Sequence, residues 1–100
     1  MRVEIDSKVY IDLLEILGYY DEVAGGEVAS DFYSEFRQHA KAAGERPHSF
    51  PANEELHRVN LRKFPHHFLF QIMDETTLRI LLVRHNHRHP SFGLDRINPD

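Results

Sequence analysis

The residues with chemistry to offer gather in the last third of the chain. They are Arg58, Arg62 and Lys63, then His66 and His67, then the run Arg84-His85-Asn86-His87-Arg88-His89. Imidazoles exchange a proton near neutral pH, and guanidinium groups grip phosphate or carboxylate through a planar fork of donors. Such a set suits metal-independent phosphodiester cleavage: one group takes a 2′-hydroxyl proton, another protonates the leaving oxygen, and cations stabilise the charged transition state. For that chemistry the catalytic candidates are Arg62, His85 and Arg88. Without it, the same region is a cationic surface for an acidic macromolecule, with Arg58, Lys63, Arg84 and His87 as candidate binding residues.

Two further readings concern the histidines. In an extended strand, His85-x-His87-x-His89 would point three rings to one side, as metal ligands must. Pro90 and the polar run end the strand there, and no Asp or Glu adjoins the triplet to orient its rings. No metal and no cofactor is expected. His66 and His67 open an apolar run directly after Phe64-Pro65, so at least one is expected to be a packed, hydrogen-bonded ring rather than a catalyst. A nucleotide-binding loop, a Ser-His-Asp order and paired catalytic carboxylates are absent from the sequence.

The charge is uneven. Residues 1–56 hold 5 Lys/Arg against 12 Asp/Glu, a balance of −7, while residues 57–96 hold 7 against 3, a balance of +4. The net charge of −4 argues against nonspecific nucleic-acid binding but leaves room for a local anion site. Cysteine is absent, which excludes disulfides and thiolate metal sites and fits a cytoplasmic protein. The first residues, Met1-Arg2-Val3-Glu4, carry charge where a signal peptide needs an apolar run, and no membrane-spanning run occurs. One domain over residues 1–100 is expected from the length.

Positioning these residues requires a rigid frame, and the hydrophobic pattern supplies one. Val3 and Ile5 alternate with polar neighbours as a short strand. Asp6 or Ser7 caps a helix with Val9, Leu13, Ile16, Leu17, Tyr20 and Ala24 on its apolar face, ended by Gly25-Gly26. A second helix over about Glu27–Ala43 has Ala29, Phe32, Tyr33, Phe36, Ala40 and Ala43 inward, with Gly44 as its stop. Asp21, Glu22, Glu27, Asp31 and Glu35 read as a solvated acidic face. Residues 45–53 read as a loop, and strands follow over about Leu56–Lys63, 66–73 and 78–84. The fold class is therefore α+β, in the order β-α-α-β-β-β: an antiparallel sheet with a helical hairpin packed on one face.

This order of elements resembles the RelE/ParE superfamily, the toxins of bacterial type II toxin–antitoxin systems, also called plasmid stabilization proteins. The resemblance rests on Asp12-Leu13, Tyr19-Tyr20, the loop with Pro47 and Phe50, the Phe64-Pro65 break, and the ending Val83-Arg84-His85-Asn86-His87-Arg88-His89-Pro90. It spans nearly the whole chain, through combined order and spacing rather than one motif. It implies a cytoplasmic toxin with no membrane association, silenced by a cognate antitoxin in a hetero-oligomer. The antitoxin segment would be disordered when free and would wrap the toxin on binding. It further implies that Arg88 pairs with a carboxylate of the core or of the antitoxin. ParE-like relatives inhibit DNA gyrase by binding; RelE-like relatives cleave mRNA on the ribosome. The nucleases usually carry a Tyr or His near the C-terminus and are basic overall. Here the four Tyr lie between residues 10 and 33, Phe92 takes the late aromatic position, and the chain is acidic. The expectation is a ParE-like toxin. The alternatives are a RelE-like endonuclease and a non-toxic binding module derived from the family.

Overall fold

Asp6 decides where the first helix begins. Its carboxylate accepts the backbone N–H of Lys8 at 2.9 Å, satisfying one donor that a helix start leaves free. The computed structural model describes residues 1–97. In it, strand β1 (Arg2–Ile5) leads through Asp6 into helix α1 (Ser7–Ala24). Gly25, at φ +96°, turns the chain into helix α2 (Gly26–Glu45), a conformation that a side chain would resist. A 3₁₀ turn (Pro47–Ser49) precedes strands β2 (Ala52–Asn53), β3 (Leu56–Asn60), β4 (His66–Ile72) and β5 (Thr77–His85), and a second 3₁₀ turn spans Leu94–Arg96.

The five strands form one sheet in the order β1-β5-β4-β3-β2. β2 to β5 pair antiparallel, whereas β1 runs parallel to β5, with Arg2 opposite Thr77 and Ile5 opposite Ile80. The α+β architecture and helical hairpin match the expectation from sequence. The sheet is mixed rather than wholly antiparallel, because two helices separate β1 from the strands it joins. Strand β2 lies inside the stretch read as a loop.

The two helices lie on one face of the sheet. Val9 and Leu13 of α1 and Phe32, Phe36, Ala40 and Ala43 of α2 pack with Val59, Phe68, Phe70, Leu78, Ile80 and Val83. Phe36 meets Phe68 edge to face at 5.4 Å. Each such ring stabilises the fold by roughly 1.5–3 kcal/mol through burial alone. Tyr33 and Ala24, read as inward, are exposed. Gly44 does not stop α2, which continues to Glu45. Its missing side chain serves a close approach instead: a Cβ there would lie 2.8 Å from Val3 Cγ2, and the terminal amino group of Met1 donates to its carbonyl at 2.7 Å.

A register shift at Leu69/Phe70 sets Leu69 opposite Leu82 and Phe70 opposite Ile80, so Leu81 is the extra residue of a bulge. The bulge lets Ile80 and Val83 both reach the core under the helices. β1 has ended at this point, and β5 has no partner strand on that side beyond Ile80. Two side chains take the strand's place. Asp12 of α1, only 4% exposed, accepts the N–H of Val83 at 3.1 Å, and Arg96 donates to the carbonyl of Leu81 at 3.0 Å. Arg96 also grips Asp12 through both terminal nitrogens, at 2.6 and 3.0 Å. The expected pairing of Arg88 with a core carboxylate is thus made by Arg96.

Candidate binding cleft

At the end of the sheet where β4 begins and β5 ends, a cleft of about 470 Å³ opens beneath α1. Ile16, Tyr20 and Val23 form its helical wall; His66, Arg84 and His85 come from the strand ends; Arg88 and Phe92 come from the tail. The wall is aromatic and apolar, the strand and tail side of the rim is cationic, and Asp12 and the exposed Glu15 of α1 also line the cleft.

The tail is held in place by three arginines. Arg84 donates through Nε to Nε2 of His67 at 3.0 Å and through one terminal nitrogen to the carbonyls of Pro90 and Phe92, both at 2.9 Å. Arg88 lies over the Phe92 ring at 4.3 Å, and Arg96 lies 5.3 Å from the same ring. Guanidinium groups are attracted to an aromatic ring. Phe92 is therefore fixed as a cleft wall, which a Tyr hydroxyl in that position is not needed to achieve. Arg84, a candidate binding residue, is half-buried and engaged in this scaffold. Burial lowers its guanidinium from the ordinary value, and Arg58 adds to the effect.

The histidines divide by role. His67 is buried; its Nε2 accepts from Arg84, so its Nδ1 carries the proton and donates to Asn86 Oδ1 at 2.8 Å. Burial lowers its pKa; the bond to Asn86 opposes this, and the charges of Arg58, Arg84 and His85 reinforce it. His66, 5% exposed, sits among Phe32, Tyr20 and His85 with ring centroids at 5.0, 5.9 and 5.1 Å, and its Nδ1 has no partner among the described residues. Burial, with His85 and His67 adding to it, pushes its pKa down to about 4. Both rings are neutral at pH 7, as expected for packed histidines. His85 is exposed and accepts the backbone N–H of His87 on Nδ1 at 3.0 Å, leaving Nε2–H as its free donor in the neutral ring. Tyr20 is shifted upward, chiefly by burial and then by Tyr19.

The structure distributes the seven candidate residues over three places. Arg84, His85 and Arg88 line this cleft, with His87 exposed beside them. Arg62 and Lys63 line a separate cleft of about 570 Å³ against α2. Arg58 is exposed on the sheet face away from the helices, where its Nε donates to Asn60 Oδ1 at 2.9 Å. Arg62 does not line the cleft that holds His85 and Arg88. The cause is Glu35, which the sequence pattern places on a solvated face and the fold buries. Its carboxylate accepts the backbone N–H of Arg62 and, at 3.1 Å, that of Lys63, and it contacts His39 Nε2 at 3.0 Å. Burial raises the Glu35 carboxyl, but these donors outweigh it and hold the group below its usual range. The β3–β4 loop is thereby drawn toward α2. β5 ends at His85, so the strand alternation that would align His85, His87 and His89 does not reach the last two. No group of three or more metal-ligating His, Asp or Glu side chains occurs among the described residues.

Asp12, Glu35 and Arg96 are not among the seven candidate residues; Asp12 carries part of the resemblance and Glu35 part of the acidic face. Two of them left a trace: Asp12 lies between Val9 and Leu13 on the inward stripe of α1, and Glu35 adjoins Phe32 and Phe36 on that of α2. A carboxylate on an apolar stripe must find donors or be expelled. Arg96 left no pattern, since its 3₁₀ turn is set by the tail's tertiary contacts.

Among solved structures, a chain of the chromosomal ParDE TA system from P. aeruginosa has the same fold, with a TM-score of 0.74 at 17% sequence identity. The match covers 85% of this chain and 95% of that one. No family model matches the chain, and no curated protein matches it in sequence. No helix among the described residues is long and apolar enough to cross a membrane.

Proposed function

We propose that this protein is the toxin of a type II toxin–antitoxin system, acting in the cytoplasm as one domain and held inactive in a hetero-oligomer with its antitoxin. The observation that carries the reading is the shared fold with a chain of the P. aeruginosa ParDE TA system, over nearly the full length of both. Within that class we favour inhibition of DNA gyrase by binding. Cleavage of RNA needs a base, an acid and a charge stabiliser around one phosphate. Arg62 lies in a different cleft from His85 and Arg88, and His66 and His67 are neutral and packed. A binding toxin needs only a rigid surface with charge complementary to its target, and the cationic rim on an aromatic wall supplies that.

The test is growth arrest on induced expression, relieved by the antitoxin, followed by DNA supercoiling with purified gyrase and added toxin. Inhibition of supercoiling supports the reading. Normal supercoiling alongside mRNA cleavage in a translation extract transfers the assignment to a ribosome-dependent endonuclease. That second reading draws on His85 and Arg88, which put an imidazole and a guanidinium at one cleft rim. It requires His85→Ala to abolish cleavage without unfolding the chain. Unimpaired growth leaves the binding module as the surviving reading.

A further inference from the structure

The opposite end of the sheet carries a second constellation that this function does not use. Glu55, His57, Gln71, Ile72 and Met73 line a cleft of about 410 Å³ where β3 begins and β4 ends. The polar atoms left free at this cleft are acceptors. His57 Nδ1 lies 2.9 Å from the carbonyl of Phe50, and a carbonyl only accepts, so Nδ1 carries the proton and Nε2 of the neutral ring presents a lone pair. Gln71 donates through Nε2 to Glu55 Oε2 at 3.1 Å, which fixes its amide orientation. Gln71 is only 7% exposed, and its Oε1 has no hydrogen-bond partner among the described residues. A buried acceptor without a donor costs roughly 1–3 kcal/mol. What Gln71 Oε1 lacks is a donor, and in the free chain a small rotation toward Arg79 Nε–H is the internal alternative to a ligand.

The charge around the cleft indicates which donor. Glu54 and Glu55 form the β2–β3 turn, and Asp74 and Glu75 lie in the β4–β5 turn at the same end of the sheet. Arg79 is opposite Gln71 across the β4–β5 pair; its terminal nitrogens donate to Glu4 and Asp6, at 3.4 and 3.3 Å, and its Nε–H has no hydrogen-bond partner among the described residues. Ile72 and the exposed Met73 add an apolar flank on which the methylene stem of a long cationic side chain can lie. We infer that this cleft docks a basic side chain, a Lys ammonium or an Arg guanidinium, presented by a protein partner. Gln71 Oε1 and the Glu55 carboxylate receive its N–H groups, and the two acidic turns favour a segment with several positive charges. The sheet is thus bipolar: one end presents donors and cations, the other presents acceptors and carboxylates.

Titration of the ¹⁵N-labelled full chain with the peptide acetyl-Lys-Lys-Lys-amide tests this. The side-chain amide of Gln71 and the backbone amides of Glu55 and Met73 are expected to shift together. Glu55→Gln should weaken binding about tenfold, the effect of losing one charge-assisted hydrogen bond. Gln71→Leu should also weaken binding while leaving the melting temperature equal or higher, since it removes a buried acceptor that the free protein leaves unpaired. Absence of shifts at these groups would overturn the inference, with bound water satisfying Gln71 instead. Wild-type affinity in Glu55→Gln would overturn it too. So would equal or tighter binding of free spermidine at the same signals, which would make the ligand a soluble polyamine and not a protein.

Discussion

His66 gives the sharpest quantitative consequence of this architecture. Its folded-state pKa is lowered to about 4 from an ordinary 6.5, because the ring is buried among Phe32 and Tyr20 beside His85. The unfolded chain then binds a proton as the pH falls below 6.5, while the folded chain does not. Stability must therefore decline from about pH 6.5 toward pH 4 and level off below it. Between pH 7 and pH 5 the loss works out at about 2 kcal/mol. For a domain of this size that lowers the melting temperature by about 10 °C. Urea denaturation at pH 7, 6 and 5 measures it directly. His66→Phe keeps an aromatic ring in the same packing and removes both the titration and the unpartnered Nδ1. The variant should lose about 2 kcal/mol less than the wild type over the same interval. His67 shifts in the same direction but is present in both proteins, so the difference isolates His66. Parallel pH profiles for the two proteins would refute the reasoning, because the ring would then be protonated as easily in the fold as outside it.

Three further outcomes are expected. Asp12→Ala should destabilise by about 3–5 kcal/mol, since it strands the Arg96 charge and the Val83 N–H; combining it with Arg96→Met should recover part of that loss, as a double-mutant cycle in urea would show. Glu35→Ala frees the Arg62 and Lys63 amides, so hydrogen exchange at those two sites should accelerate well beyond that of the core strands. Gly18 and Gly93 should respond oppositely to alanine. A Cβ at Gly18 in α1 meets nothing within 4 Å and should stabilise by about 0.5–1 kcal/mol, whereas at Gly93, with φ +80°, it would lie 2.7 Å from Leu82 Cδ2 and should destabilise by at least about 1 kcal/mol, both measurable by thermal melts.

What the sequence made legible follows from periodicity. Val9 and Leu13, then Phe32 and Phe36, recur at helical spacing, and residues 66–73 and 78–84 are apolar enough to read as central strands, so both helices and every strand but β2 are accessible in order. The partner of β1 was not, because parallel pairing across two helices leaves no local mark. Nor was the route of the β3–β4 loop. Arg62 follows a strand that, extended to Lys63, would carry it to the same end as His85 and Arg88. The strand ends at Asn60 because Glu35, 27 and 28 residues away in sequence, captures the N–H groups of Arg62 and Lys63. The tail was legible in composition but not in shape: Arg88 and Arg96 close on the Phe92 ring, and Arg84 of β5 on its carbonyl, only after the sheet exists to hold them.

The union of β1 with β5 bears on how the molecule comes into being. Strand residues near the first position align with residues beyond 76, and Asp12 waits for Arg96, a separation of 84 residues. Contacts between such remote points slow folding, because the intervening loop entropy must be overcome before they reward it. During synthesis the helical hairpin emerges first and has no completed sheet to rest on. The chain through Arg96 must leave the ribosome before β5 and the tail can fasten β1 and α1. The fold is thus unfinished, as a shape, until Arg96 has been made, and loss of the turn at Leu94–Arg96 would undo an attachment to α1.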